Sequence, residues 1–363
     1  MYDTVGIVGL GLLGGSLAKA FKNRIGVKKI VASNRNKDVL DIALKEGVID
    51  EGTTVIDEKF ADCDIVFICT PVDRIYPSAQ ELSKYVKKGC ILTDVGSTKG
   101  NIYKNMLNLS DKIYFIGGHP MTGSEKFRYT ASKEHLFENA YYIVAPSDNV
   151  PAAETEKFKT ALKEIGSLPV EVSPFEHDYI VASISHVPHI IASCLVNNVK
   201  RLEDENQRMQ MLAAGGFKDI TRIASSSPEM WEGICIENKK EILKVLESYE
   251  NTIHEFKSRI EAEDKKGIYS LLDEAKTYRD NFSNNTPGLI TKRFEIVVDV
   301  LDRPGSIAVI AVLLSSNGVN IKNIGIVNSR EEDAPLFISF ASEEDREKSV
   351  RLLRGHNYDV HIK

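Results

Sequence analysis

The sequence predicts an α/β protein in three parts: an N-terminal doubly wound, mostly parallel sheet, an all-helical middle, and a C-terminal β-α-β-β-α-β unit of ferredoxin-like type. Three observations carry this. Short β-branched runs alternate with helical stretches up to residue 172, helical periodicity without strands fills 173–283, and six short elements in split order follow a breaker-rich linker. A chain of 363 residues also exceeds the ~250–300 at which a single core stops growing, so several domains are expected.

In residues 1–172 the runs Val5–Val8, Lys29–Ala32, Ile65–Cys69, Ile91–Val95, Ile113–Ile116, Tyr141–Ala145 and Val170–Val172 read as strands. Continuously apolar strands separated by helices indicate a sheet covered on both faces. Residues 173–283 carry apolar positions such as Ile242, Leu246, Tyr249, Ile253 and Ile260 at helical spacing. Residues 284–292 form the linker, marked by the breaker-rich stretch Ser283-Asn284-Asn285-Thr286-Pro287-Gly288. Residues 293–363 then give strand Arg293–Leu301, helix Ser306–Ser316, strands Asn320–Asn328 and Leu336–Ala341, helix Glu344–Arg354 and strand Tyr358–Ile362.

Composition narrows the function. With 46 Lys and Arg against 52 Asp and Glu, the net charge of −6 argues against nucleic acid as the main partner. Five cysteines show no zinc-type spacing, so no metal is expected, and they read as buried thiols of a reducing compartment. No apolar run approaches the ~20 residues that span a bilayer, and no signal peptide is read at the N-terminus. A cytoplasmic protein without a membrane partner is expected.

Gly9-Leu10-Gly11-Leu12-Leu13-Gly14 follows a strand and opens an apolar helix, the context that makes G-x-G-x-x-G a dinucleotide fingerprint of the Rossmann type. Gly9 makes the tight turn, Gly11 admits the pyrophosphate, and Gly14 lets helix pack on strand, with Leu12 and Leu13 supplying backbone at the helix start. The expected acid of the second strand is replaced by Asn34, followed by Arg35. Without a carboxylate to repel a 2′-phosphate, NAD and NADP both stay open, and Arg35 reads equally as a surface charge. Thr70, just past the strand ending at Cys69, joins the cofactor group.

Two further motifs follow strand ends, where doubly wound folds hold ligands: Asp94-Val95-Gly96-Ser97-Thr98-Lys99, and Gly117-Gly118-His119-Pro120 running on to Glu125. His119 reads as facing the nicotinamide, with Ser97 the nearby hydroxyl. In the helical part, Ser185-His186-Val187-Pro188-His189 predicts a kink at Pro188 beside a pocket. Gly215-Gly216 reads as a turn ahead of Asp219 and Arg222. Arg222 suits bidentate carboxylate recognition, or pairs with Asp219 along a solvated helix face.

Taken together, GLGLLGGSLA, DVGSTKG, GGHPMTGSEK, SHVPH and GGFKDITRIA, in this order, resemble the prephenate dehydrogenases of tyrosine biosynthesis, in the version with a C-terminal ACT domain. The resemblance implies oxidative decarboxylation of prephenate to 4-hydroxyphenylpyruvate with hydride transfer to NAD(P), NAD being the family default, and a homodimer built through the helical domain. It implies that His119 takes the ring hydroxyl proton and that Ser97 orients His119. Arg222 would clamp a substrate carboxylate, with His189 and Ser185 completing the pocket. Glu125 would gate the site, Asp219 would pair ionically near its mouth, Trp231 would reach across the dimer, and Asp178 matches a polar position there. A base must be neutral, so activity is expected to rise through the ordinary histidine pKa near ~6.5. Pro304 and Gly305 at the strand-helix turn, with Asn320, resemble the effector site of ACT modules, for which tyrosine is the natural candidate; use in dimerisation alone is the alternative. Arogenate dehydrogenase, and a non-catalytic amino-acid sensor, are the competing readings.

Overall fold

The computed structural model describes residues 2–109, 113–122, 128–281, 294–301, 303–326 and 333–362. They fall into two compact units, one up to Asp264 and one from Lys265 onward.

The first unit begins with β1 (Thr4–Val8), α1 (Leu12–Ala20), β2 (Lys29–Ser33), α2 (Lys37–Lys45), β3 (Glu51–Thr53), β4 (Ile65–Ile68), α3 (Val72–Leu82), β5 (Ile91–Asp94), α4 (Gly100–Met106), β6 (Tyr114–Pro120), β7 (Tyr141–Pro146), α5 (Ala152–Glu164) and β8 (Leu168–Glu171). The eight strands lie in the order β3-β2-β1-β4-β5-β6-β7-β8. All neighbours are parallel except β6 and β7. No α-helix crosses over between those two among the described residues, and without a crossover the returning strand runs antiparallel. The sequence reading omitted β3, a three-residue strand with a single β-branched residue.

Side chains alternate across this sheet. Ile65 and Phe67 of β4 join the core under α1 and α5, while Val66 and Ile68 join the core under α3 and α4. On the first face Phe21 meets Phe67 edge-on at 5.1 Å. Each such buried side chain contributes about 1.5–3 kcal/mol, so two filled faces hold the strand ends in fixed register. Strand order reverses direction between β1 and β4, and the crevice at their carboxyl ends is the ligand position of this topology.

The helical part starts where Ser173 accepts the Glu176 N–H at 3.2 Å and Pro174 takes the first turn, where a missing N–H costs nothing. Helix α6 (Pro174–Val181) runs through one π-turn, Ala182–His186, into α7 (Val187–Leu202). The irregularity expected at Pro188 therefore sits one turn earlier, and Pro188 belongs to the first turn of α7. The joined helix, Pro174–Leu202, is long and apolar enough to cross a bilayer by length and composition, a test that core helices of soluble proteins also pass. No uninterrupted apolar run marks it in the sequence, because His177, Asp178, His186 and His189 interrupt it. All four are buried.

After α8 (Arg208–Leu212), α9 (Gly215–Thr221) begins at the glycine pair, which is the first turn of a helix and not a separate turn. A 3-10 turn, Arg222–Ser225, leads to α10 (Pro228–Glu237) and α11 (Lys239–Glu261).

The second unit holds α12 (Lys265–Asn281), β9 (Phe294–Leu301), α13 (Ser306–Ser316), β10 (Ile321–Ile326), β11 (Asp333–Phe340), α14 (Glu343–Gly355) and β12 (Asp359–Ile362). From β9 on, this is the β-α-β-β-α-β order, with an antiparallel sheet β10-β11-β9-β12. Ile296, Val298, Ile310, Leu314, Ile338 and Leu353 close its core. Gly305 caps α13 with φ of 93°, a left-handed geometry that suits glycine. Pro304, Gly305 and Asn320 are exposed; the linker 284–292 lies outside the described residues.

Candidate active site

The crevice between β1 and β4 is built for close backbone approach. Gly9 has φ of 95°, and a Cβ there would stand 2.8 Å from the Cys69 carbonyl oxygen. A Cβ on Gly14 would stand 2.0 Å from the Gly9 carbonyl, so helix and strand could not pack as they do. Gly11 is the N-cap of α1, which has no capping side chain and no acid in its first turn. Such a helix start presents free N–H groups and a positive dipole end, the requirement of a pyrophosphate. The Thr70 hydroxyl is buried beside this turn with no hydrogen-bond partner among the described residues. Asn34 braces it: its Oδ1 accepts the Leu10 N–H at 3.2 Å, and its Nδ2 donates to the Asn36 carbonyl. Arg35 is exposed. The cradle and the orphaned hydroxyl both fit a dinucleotide.

His119 stands at the carboxyl end of β6, with β4 and β5 between it and the β1 strand of that turn. Its Nδ1 lies 2.9 Å from Nε2 of His177 on α6, and His177 Nδ1 lies 2.9 Å from Asp178 Oδ1. The Asp178 carboxylate in turn accepts the backbone N–H groups of Lys99 and Gly100, each at 2.7 Å, and so caps α4. Gly100 is required here, because a Cβ would meet Asp178 Oδ2 at 2.7 Å. Behind this chain, the fully buried Lys99 ammonium donates to Asp94 Oδ2 at 2.5 Å and to the Gly96 and Thr98 carbonyls at 2.8 and 2.9 Å. Three donors have three acceptors, which is the condition for tolerating a buried ammonium. Asp94 also accepts the N–H groups of Gly96 and Gly118, tying the β5 and β6 loops together.

Burial pushes the His119 pKa well below its ordinary value, helped by His177 and by the Lys99 charge. The imidazole is therefore already neutral at physiological pH, and the rise of activity expected near the ordinary value moves to lower pH. His177 is lowered by burial as well, against the opposing pull of Asp178. No hydrogen bond joins Ser97 to His119 among the described residues; the ring's bonded neighbour is His177. Residue pattern alone missed His177. Its available signal was a His-Asp pair in the opening turns of an otherwise apolar helix.

The rest of the expected pocket gathers on the helices. His189 is buried and stacks on Trp231 at 3.5 Å between ring centroids, 9° from parallel. Trp231 thus stacks on a histidine of its own chain. His186 meets Trp231 edge-on at 6.0 Å, and its Nδ1 lies 3.1 Å from Asn238 Nδ2, which also donates to the Asp178 carbonyl. Burial lowers the His186 pKa to about 4. Ser185 is half-buried in the π-turn. Asp219 and Arg222 are exposed on α9 and the turn after it, and no ion pair joins them among the described residues. Glu125 lies outside the described residues. The metal-type cluster found among the described residues, Asp299, Asp359 and His361, is on the exposed face of the second unit.

Residues 17–170 match the family described as prephenate dehydrogenase, nucleotide-binding domain, and residues 173–274 match prephenate dehydrogenase, dimerization domain. The chain is 38% identical to the prephenate dehydrogenase of Bacillus subtilis over 98% of its own length and 96% of that protein. Its structure resembles that of Aquifex aeolicus prephenate dehydrogenase in complex with hydroxyphenyl propionate and NAD+, with a TM-score of 0.73 and 33% identity, covering 77% of this chain and 98% of the other. Synechocystis arogenate dehydrogenase is similar too, with a TM-score of 0.70 and 28% identity, covering 77% and 99%. A glycine cradle, a neutral histidine on the same carboxyl edge of the sheet and two family matches that together span residues 17 to 274 lead to one conclusion: the chain belongs to the prephenate dehydrogenase family of NAD-dependent oxidoreductases.

Proposed function

We propose that the protein converts prephenate to 4-hydroxyphenylpyruvate, with His119 as the general base. The observation that carries this is a neutral, partly exposed imidazole at the carboxyl end of β6, on the ligand side of the sheet. Bound in the glycine cradle, the dinucleotide supplies the acceptor for the hydride that leaves the carbinol carbon. His119 Nε2 takes the hydroxyl proton as that carbon becomes carbonyl-like. The bond to the ring carboxylate then breaks, its electron pair completes the aromatic ring, carbon dioxide leaves, and His119 returns its proton to the phenolate oxygen. Ser97 lines the nicotinamide side. Arg222, His189 and Ser185 receive the side-chain carboxylate, Trp231 closes the wall behind His189, and Asp219 and Glu125 set the charge at the mouth.

The second unit acts in this reading as an ACT module in which Pro304, Gly305 and Asn320 surround a tyrosine effector site. The protein works as a cytoplasmic homodimer, for which the outward apolar side chains Leu195 and Val196 of α7 and Leu243 and Ile253 of α11 supply contact surface. Arogenate is the alternative substrate, favoured by the likeness to the Synechocystis enzyme. Initial rates with prephenate and with arogenate, each with NAD and NADP, test the assignment: prephenate with NAD is expected to give the highest kcat/KM, and no turnover of prephenate overturns it. Calorimetric titration with tyrosine and sedimentation of the full chain test the effector and the dimer.

A further inference from the structure

We propose that His177 and Asp178 form a positioning relay that fixes His119 in the one tautomer able to act as base. The inference rests on the reading of His119 as the base. Its ground is the unbroken line from the Lys99 and Gly100 N–H groups, through the Asp178 carboxylate, to His177 and then to His119 Nδ1, with contacts of 2.7, 2.7, 2.9 and 2.9 Å.

The tautomers follow from donor counting. A neutral imidazole has one N–H and one acceptor nitrogen. Asp178 Oδ1 can only accept, so the His177 hydrogen is on Nδ1 and His177 Nε2 is an acceptor. His119 must then donate from Nδ1, which leaves its Nε2 bare for the substrate hydroxyl. The reverse arrangement would set a bare His177 Nδ1 against a carboxylate. Asp178 cannot rotate away to relieve it, since its two oxygens hold the start of α4. When His119 takes up the hydroxyl proton at Nε2, its Nδ1–H faces an acceptor polarised by a carboxylate, which stabilises the imidazolium as it forms. The logic is that of the Ser-His-Asp triad with a second imidazole between acid and base. His177 and Asp178 touch neither substrate nor cofactor; they act through His119.

Two substitutions and one spectrum test this. His177→Leu removes the acceptor, and His177→Gln places an amide oxygen where Nε2 stood. With prephenate and NAD, His177→Leu is expected to lower kcat by about 10- to 100-fold with KM for both ligands within about twofold, less than the ~10²–10⁴ of proton transfer itself. His177→Gln is expected to recover most of that loss. Nitrogen-15 NMR of histidine-labelled protein is expected to show His119 carrying its hydrogen on Nδ1 in the wild type and shifting to Nε2 in His177→Leu. Thermal unfolding confirms that each variant is folded. A His119 hydrogen on Nε2 in the wild type overturns the relay, as does a folded His177→Leu with wild-type kcat. An inactive wild type fails the assignment of the reaction instead, and leaves the tautomer measurement to decide the relay.

Discussion

Two helices of the first unit start at carboxyl ends of strands of one sheet, β1 and β5 on either side of β4, and they treat their starts in opposite ways. Helix α1 follows β1 with a glycine N-cap, no side-chain cap and no acid in its first turn. Helix α4 follows β5, and its opening N–H groups are taken by the carboxylate of Asp178, 78 and 79 residues away along the chain. The same physics, free donors and a positive dipole end, attracts an anion in both places. At α1 the anion is left to a ligand. At α4 the protein brings its own, and with it the helix that carries His177, His186 and His189. The contrast teaches that one of these anion sites recruits cofactor while the other fixes the substrate helix against the sheet, and His119 lies where the two meet.

Removing what both starts serve has the largest expected effect. His119→Asn retains a hydrogen-bonding side chain without a basic nitrogen, so kcat for prephenate oxidation is expected to fall by about two to four orders of magnitude while KM stays close to wild type. Steady-state rates at saturating dinucleotide check it, and wild-type turnover would remove His119 from the mechanism.

The two starts can next be broken separately. Gly14→Ala sets a Cβ 2.0 Å from the Gly9 carbonyl and is expected to weaken dinucleotide binding at least ~10-fold, about 1.4 kcal/mol, by calorimetry. Asp178→Ala removes a carboxylate that accepts two backbone N–H groups and one imidazole N–H. It is expected to cost about 2–4 kcal/mol of folding stability in urea denaturation with dinucleotide affinity nearly unchanged. If Asp178→Ala weakened cofactor binding as much as Gly14→Ala does, the division of labour between the two helix starts would be wrong.

The same division explains what could be read from the chain. The α1 start is local: strand, three glycines and helix lie within about a dozen residues, and each glycine has a steric reason visible in its spacing. The motif ending at Lys99 and the position of His119 were legible for the same reason, as strand-end loops. The α4 cap was not, because no spacing rule links Gly100 to Asp178; only the packing of α6 on the sheet brings them together. His177 was lost with it, and so was the π-turn, since i to i+5 bonding leaves no compositional mark in Ala182–His186. Strand β3 escaped because three residues with one β-branched side chain carry no period.

A graded effect separates the regions by pH. His186 has a pKa near 4 in the folded chain, against an ordinary 6.5, because burial disfavours its charge. Above pH ~6.5 the folded and unfolded forms are both neutral and stability is complete. As pH falls toward 4 the unfolded chain takes up the proton first, so stability is lost across that window, on the order of 3 kcal/mol when fully developed. The shifts of His119, His177 and His189 are downward too and add loss of the same sign. Urea midpoints at pH 7.5, 6 and 5 should decline in that order, and the decline should shrink in His186→Asn. An unchanged slope in that variant would place the acid sensitivity elsewhere.

The smallest expected effect lies at the rim of the α1 start. Asn34 spends its Oδ1 on Leu10 N–H and one amide hydrogen on the Asn36 carbonyl, so it braces the glycine turn and puts no charge beside the ribose. Arg35 is exposed, and a cation in solvent contributes little to the fold, within about 0.5 kcal/mol. A 2′-phosphate bound beyond Asn34 would meet that cation, whereas a 2′-hydroxyl would gain only a weak neutral contact. Arg35→Ala is therefore expected to leave kcat/KM for NAD within about twofold and to lower any activity with NADP by roughly 3- to 10-fold, the size of one screened charge-phosphate contact. An equal loss with both dinucleotides would mean that Arg35 supports the turn itself, and the start of α1 would then depend on a side chain after all.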